Sequence, residues 1–527
     1  MLKAMVDEGR LNEPETDALH DAIARALAWR ALPLAIILTL QAVVSLVSLQ
    51  NSAFQDEALY LYAGRQLLSQ YLGGAQVVDP FATYLSGHPD VYPLLAGALD
   101  AAGGLALARL LSLLAMLTAT ACVFWIGQRV FSRQAGILGA ALFAMQGPVL
   151  FLSRLATYDA FCLGLLAVCA ALALRLSDTR RPWLALALGP LMVLAFFAKY
   201  AFLLWAPSLL AILALETWRR RGFGSVVLRM ALTLLAAAMA ALAAYRLLGP
   251  SFLHALLAST LQRQTTGAQL TASRSVLLWW IISNAGIILG IALVGLALLP
   301  RGKRLLGLIF MGTSVMAPVY HLYHAEPVSL IKHLAYGMVF AAPLAGLALQ
   351  RLIEWQARHA KQEFQLALHG MAVAPIFLIV FTLGQRQALS QYDQWANSAE
   401  MTTIMRSLVR PAAGHYLAED MEVTRYYLQN VTEDWQWTGP FWFEYTDKQG
   451  NTLYDTAAYE QAIHDGYFDA IELSFGVSST LDYQLRAELS NSPNYQLVAR
   501  VPYTNIYGSG FYYIWRLRPV VPSATTG

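Results

Sequence analysis

Long apolar runs dominate this chain and confine it to a membrane-spanning helical bundle. Runs long enough to cross about 30 Å of hydrocarbon lie at 31–50, 104–127, 135–153, 158–176, 183–198, 200–217, 226–248, 276–299, 304–320, 334–350 and 367–384. That predicts about eleven transmembrane helices, with the 183–217 stretch read either as two short spans or as one bent segment. Only 13% of the residues are charged, about half the ~25% of a soluble domain.

Charge sets the orientation. Arg129 and Arg133, Arg175 to Arg181, Arg219 to Arg221, Arg301 to Arg304 and Arg351 to Lys361 fall in one set of short connections. By the positive-inside rule these connections and the N-terminus are cytoplasmic. An odd number of spans then puts the C-terminal segment outside, a multi-pass arrangement expected of a bacterial inner membrane. The net charge of +3 says nothing about partners, and no nucleic-acid partner is expected. Cys122, Cys162 and Cys169 all lie in apolar runs and read as small buried hydrophobes. No cleavable signal peptide is expected ahead of the first run.

Three parts follow along the chain. Residues 1–30 read as an amphipathic segment on the cytoplasmic surface. Residues 31–384 form the transmembrane core, with outer loops 51–103, 249–275 and 321–333. From 385 the apolar runs stop and Tyr, Trp, Asp and Asn rise, so 385–527 is expected to be an extracytoplasmic soluble α/β domain. Strands are expected at Tyr467–Leu473, Tyr495–Pro502 and Gly510–Leu517, and helices around Glu419–Gln429 and Thr456–His464.

The outer face collects nearly all the chemistry. Asp56 and Glu57 stand side by side just beyond the first span, with Arg65 on the same helical pattern. His88 sits in Gly87-His88-Pro89-Asp90-Val91-Tyr92-Pro93, and Arg109 follows near the start of the second span. Arg154 and Asp159 flank a tight turn between two spans. Lys199-Tyr200 separates two short runs, and the last outer loop holds His321, His324, Glu326, Lys332 and His333. Each has a plain structural reading. Arg154 and Asp159 suit an ion pair closing their turn, Arg109 could snorkel to the interface, Lys199 could anchor a helix end, and the histidines suit turns and a solvated loop. Together they offer carboxylates to deprotonate a hydroxyl and cations to neutralise phosphate oxygens.

In order and spacing these pieces resemble the class C membrane glycosyltransferases, the superfamily of the protein mannosyltransferases and the lipid A aminoarabinose transferase. The carrying residues are Asp56-Glu57 with its Tyr-rich helix, His88-Pro89…Tyr92-Pro93, Ala108-Arg109-Leu110 after Gly103-Gly104, Arg154…Tyr158-Asp159, and Lys199-Tyr200…Pro207. They run in order over residues 30 to 350. The resemblance implies transfer of a sugar from a polyprenyl-phosphate-linked donor to a lipid, glycan or protein acceptor at the outer face, with inversion. It implies Asp56 as catalytic base, Glu57 as its partner and Asp159 as a second acid. Arg154, Lys199, Lys332 and Arg109 would meet the donor phosphate, while Tyr60, Arg65, His88, Tyr92, Tyr158, Tyr200 and His333 would line the substrates. Two motifs differ: His88-Pro89 stands where some relatives have Lys-Pro-Pro, and Lys332-His333…Tyr336 where many have Arg-Tyr. No cofactor is fixed; a divalent metal ion is an open option, with Glu57, His88 and His324 as candidate ligands. A flippase for lipid-linked sugars and a non-catalytic assembly subunit are the competing classes. One-sided charge and the lack of an internal repeat weigh against the former.

Overall fold

The computed structural model describes residues 13–74, 76–77, 91–248, 257, 271–359, 365–476 and 478–519. His88 and most of the 249–275 loop lie outside the described residues. The protein is a multi-pass helical membrane protein with a C-terminal α/β region. Among the described residues, eight helices are long and apolar enough to cross a bilayer.

The chain begins in α1 (Glu13–Ser48), which runs without a break from the N-terminal segment into the first span. After a short turn comes α2 (Gln55–Tyr71), then α3 (Val91–Val130). Helix α3 bends at Gly103-Gly104, where Gly104 has φ +67°. A side chain disfavours that conformation, so the pair makes an elbow between the two arms of α3, before Gly103 and after Gly104.

The expected run at 135–153 is two helices, α4 (Arg133–Ala144) and α5 (Gly147–Leu152), separated at Met145-Gln146. Pro148 in the first turn of α5 suits a fresh helix start. Next come α6 (Tyr158–Asp178), α7 (Leu188–Ala198) and α8 (Ala206–Arg221). The 183–217 stretch is the bent option: 3-10 turns at Pro182–Ala187 and Tyr200–Leu204 lead into α7 and α8, and Lys199 between them is extended. The core continues through α9 (Phe223–Leu248), α10 (Arg274–Ala297), α11 (Arg304–His324), α12 (Leu330–His359) and α13 (Gln365–Tyr392).

Helix α12 is the axis of the bundle, buried along most of its length from Leu330 to Leu349. Lipid offers no hydrophobic drive between spans, so close packing must hold them. Small residues supply it: a Cβ on Gly346 would fall 2.1 Å from the Ala135 carbonyl oxygen.

Beyond α13, α14 (Ala399–Leu408) leads into a five-stranded sheet of order β2-β1-β5-β7-β6. Its strands are β1 (Tyr416–Ala418), β2 (Trp437–Thr438), β5 (Ala470–Leu473), β6 (Tyr495–Asn505) and β7 (Gly508–Leu517), with the hairpin β3 (Glu444–Thr446) and β4 (Thr452–Tyr454) apart. Strand β1 runs parallel to β2 and β5, whereas β7 runs antiparallel to β5 and β6. Helices α15 (Met421–Leu428), α16 (Asp455–Asp465) and α17 (Ser479–Asn491) complete the region. Period-two alternation splits the core between the two faces. Ile514 packs with Met401, Met405 and Leu428, and its neighbour Trp515 with Ile463, Ile471 and Leu485.

The sheet region is tied to the first loop. Trp395 Nε1 donates to the Ser52 carbonyl at 3.0 Å, Ser398 N donates to Ser52 Oγ at 2.9 Å, and Ala53 N donates to the Tyr427 hydroxyl at 2.8 Å. Asn51 Nδ2 reaches the carbonyls of Tyr392 and Trp395.

Candidate active site

The first turn of α2 carries both carboxylates, and they point to different work. Glu57 is fully buried and every lone pair has a donor nearby. Arg109 Nε donates to Oε1 at 2.9 Å and NH2 to Oε2 at 2.7 Å. Phe54 N donates to Oε2 at 2.9 Å and Ala156 N to Oε1 at 2.7 Å. The same guanidinium holds the carbonyls of Asn51 and Ser52. Arg109 therefore does not snorkel; it pins the entry to α2. A bidentate arginine fork with saturated acceptors is the geometry that makes a buried pair tolerable.

Asp56 keeps a third of its side chain exposed, 34% against 1% for Asp159. Lys332 Nζ donates to Asp56 Oδ2 at 2.6 Å and lies 3.9 Å from Asp159 Oδ2. Lys199 Nζ holds the other Asp159 oxygen at 2.5 Å. The result is an alternating series, Asp56, Lys332, Asp159 and Lys199, assembled from α2, α12, α6 and the extended link after α7. Tyr336 fixes α6 beside α12 by donating to the Asp159 carbonyl at 2.9 Å.

Aromatic rings wall this series. Tyr60 stacks on Tyr158 at 4.6 Å, and Tyr92 meets both edge-on. Lys199 lies 5.1 Å above the Tyr158 ring, and Lys332 5.6 Å from that of Phe54. Such contacts hold ammonium groups without neutralising them. Burial, and then the neighbouring Asp56 carboxylate, hold the Tyr60 hydroxyl well above the ordinary phenol range, so it stays protonated.

Arg154 does not close its turn on Asp159, which Lys199 already takes. Its Nε is buried and makes no hydrogen bond among the described residues. Arg65 turns the other way, donating to Asp100 Oδ2 at 2.5 Å, while the Tyr426 hydroxyl donates to Asp100 Oδ1 at 2.7 Å. Asp100, Tyr426 and Tyr427 were not among the expected site residues. A lone acid in the run Gly97-Ala98-Leu99-Asp100-Ala101 was the signal for the first; nothing local marks the tyrosines. His333 Nδ1 lies 2.8 Å from His321 Nε2, whose ring is held in turn by the Glu326 carbonyl. Tyr200 packs against Phe196 at 4.9 Å. His324 packs against Tyr320 and Tyr323. Of the candidate metal ligands, Glu57 is committed to Arg109 and His88 is outside the described residues. Among the described residues no group of three or more His, Cys, Asp or Glu is arranged to hold a metal ion.

The fold has solved counterparts. ArnT from Cupriavidus metallidurans in its apo state superposes with a TM-score of 0.58 at 15% identity, over 93% of this chain and 98% of that one. The Archaeoglobus fulgidus oligosaccharyltransferase in its apo form gives 0.57 at 11% identity, over 92% and 74%. Residues 101–245 match the family model described as dolichyl-phosphate-mannose-protein mannosyltransferase. The chain has the class C glycosyltransferase fold. ArnT bound to undecaprenyl phosphate matches equally, with a TM-score of 0.58 at 15% identity over 92% and 98% of the two chains. No curated protein sequence matches the chain. Within the class C fold, the family-model segment contains Arg109, Arg154, Asp159 and Lys199, while Asp56 and Lys332 lie to either side of it in sequence.

Proposed function

We propose that this protein transfers a sugar from a polyprenyl-phosphate donor to an acceptor hydroxyl at the outer face of a bacterial inner membrane. The N-terminus is cytoplasmic and the α/β region extracytoplasmic. The observation that carries the reading is the one-third-exposed Asp56 beside Lys332, Asp159 and Lys199 on one face of the bundle. The phosphate-bound neighbour ArnT supports a lipid-linked donor.

In this scheme the acceptor oxygen attacks the anomeric carbon from the face opposite the phosphate, and its proton passes to Asp56. The bond between the anomeric carbon and the phosphate oxygen breaks, its electron pair stays on the phosphate, and the product is inverted. Phosphate leaves well without a proton if cations receive its charge. Lys332, Lys199 and Arg154 are that receptor. Arg154 suits it best because its buried Nε has no other acceptor among the described residues. Asp159 spaces the two lysines, and Glu57 with Arg109 sets the pose of α2. Tyr60, Tyr92 and Tyr158 offer a wall for the sugar.

The test is transfer from a synthetic undecaprenyl-phosphate sugar in proteoliposomes, with Asp56→Ala beside the unaltered protein. Loss of transfer with retained lipid-phosphate binding is expected. Full transfer by Asp56→Ala removes Asp56 as base, and failure of the unaltered protein to transfer any lipid-linked sugar removes the reading.

A further inference from the structure

The end of the bundle away from Asp159 carries a second concentration of charge, most of it positive. Helix α6 has Asp159 in its first turn and Asp178 at its last position, so roughly 30 Å of helix separates the two. The Asp178 carboxylate is already taken. Arg129 Nε donates to its Oδ2 at 2.6 Å, and Arg220 lies 3.0 Å from its Oδ1. Glu216 shares Arg220 with it, at 3.3 Å, and is also held by Arg219 at 3.0 Å.

Arg221 and Arg229 are left to carbonyl groups. Arg221 Nη2 donates to the Asp178 carbonyl at 2.5 Å, and Arg229 Nη2 to the Thr179 carbonyl at 2.6 Å. On these successive carbonyls the two guanidinium groups stand close enough to repel. Among the described residues neither forms an ion pair. Arg180 and Arg181 come next in the chain, both exposed and likewise without a carboxylate among the described residues. Arg229 is the informative member. It sits inside α9, 3% exposed, and its buried Nε makes no hydrogen bond among the described residues. Topology asks only for basic residues near the ends of spans, whereas an enclosed cation is costly without a counter-charge.

The surroundings select a lipid over a free anion. Trp183, Trp218 and Phe223 lie within a few positions of these arginines, and each is more than half exposed. Aromatic residues so placed favour the boundary between bilayer and water. Helix α9 then continues as a candidate span with only 11% of its most apolar stretch buried, and Val227, Leu228, Leu234 and Leu235 are exposed along it. A span so little covered by its own chain offers apolar surface to acyl chains.

We propose that Arg180, Arg181, Arg221 and Arg229 hold the phosphate head of an anionic phospholipid whose acyl chains lie along α9. The inference is independent of the sugar-transfer reading, because it concerns the opposite end of the bundle and a lipid that is bound without being consumed. Guanidinium forks take phosphate oxygens in pairs. A phosphate here relieves the repulsion between Arg221 and Arg229, gives Arg229 Nε an acceptor, and fastens α9 to the end of α6.

The full-length protein, stripped of lipid in detergent, is titrated with cardiolipin and, as the neutral comparison, phosphatidylcholine. Native mass spectrometry and thermal unfolding report binding. Cardiolipin should be retained and raise the midpoint; phosphatidylcholine should do neither, and inorganic phosphate should not displace cardiolipin. Arg180→Gln combined with Arg181→Gln changes exposed residues only, so the lipid-free midpoint should hold while affinity for cardiolipin falls roughly tenfold or more, the value of a charged hydrogen bond. Arg229→Gln should lower affinity as strongly. Arg358→Gln, at the same end of the bundle but on α12, should leave it unaltered. Equal binding of phosphatidylcholine, displacement by inorganic phosphate, unchanged affinity in the Arg180→Gln, Arg181→Gln protein, or an equal loss in Arg358→Gln overturns the proposal.

Discussion

Arg109 grips Glu57 through both guanidinium arms, at 2.9 and 2.7 Å, directly behind the turn that presents Asp56. Neighbours in sequence thus have opposite surroundings, one sealed and saturated, the other partly open. Glu57→Ala or Arg109→Ala leaves its partner buried and uncompensated. Each should destabilise the protein by roughly 3–5 kcal/mol, read as a lower thermal midpoint in detergent. An unchanged midpoint contradicts the staple role.

Asp56→Asn keeps the shape and loses the base. Transfer should fall by about 10²–10⁴-fold, while unfolding barely changes because the side chain is a third exposed. Stopped turnover with an equally large drop in midpoint points to a structural role instead.

Arg154→Leu removes a charged donor from the phosphate. The apparent KM for the lipid donor should rise on the order of tenfold or more, the value of a charged hydrogen bond, with the acceptor KM unchanged. A shift confined to the acceptor contradicts the assignment.

Helices α2 and α3 touch backbone to backbone. A Cβ on Gly64 would lie 1.9 Å from the Pro93 carbonyl oxygen, and one on Gly97 2.6 Å from the Gly64 carbonyl carbon. Gly64→Val should therefore push α2 off α3, costing at least ~1–3 kcal/mol of overpacking and lowering kcat as Asp56 moves. Wild-type activity in that variant shows that α2 is not held by this crossing.

The α/β region has its own pH sensitivity. Glu419 accepts from Ser474 N and Oγ, Gly476 N and Ser478 N. Burial opposes its charge, but Asp482, Ser474 and the loop amides bring its carboxyl below the usual range. Burial, and then the hydrogen bond and charge of Glu419, push Asp482 from 3.8 up to about 9. Glu472 is also raised, by burial and then by Asp420 and Glu419. An acid with a raised folded value binds more protons folded than unfolded, so stability falls as pH climbs from 3.8 toward about 9. Thermal midpoints should drop between mildly acidic and alkaline buffer, and Asp482→Asn should flatten that slope. A slope unaffected by the substitution assigns the effect to other groups.

Much of the bundle was legible because apolar runs are long and loop charges are asymmetric. The helix break at Met145-Gln146 was less so, since a single Gln did not interrupt the expected run at 135–153, whereas the charge of Lys199 had marked the break between 183–198 and 200–217. In the α/β region, β6, β7 and α16 followed alternation and periodicity. Strand β1 is three residues long, too short for any pattern. Helix α17 buries Asp482, Leu485 and Leu489, and an acid at a core position erases its apolar stripe. In the site, the ionisable residues were visible one by one. Their pairing was not: Lys332 could have met Asp159 alone, and only the return of α12 beside α2, 276 positions later, gives it Asp56. Glu57 could not be told from Asp56 without knowing which of the two faced Arg109.

The ties that hold Ser52 and Ala53 come from Trp395, Ser398 and Tyr427, some 340 to 370 residues downstream. Such contacts form late, because the intervening chain must be ordered first. As synthesis proceeds, the segment that leads into α2 emerges early, and these ties wait until Tyr427 has been made. The entry to α2 is thus gripped first by Arg109, whose guanidinium holds the Asn51 and Ser52 carbonyls, and a nascent protein stalled before Tyr427 would carry that grip while lacking the hydroxyl that holds Ala53 N.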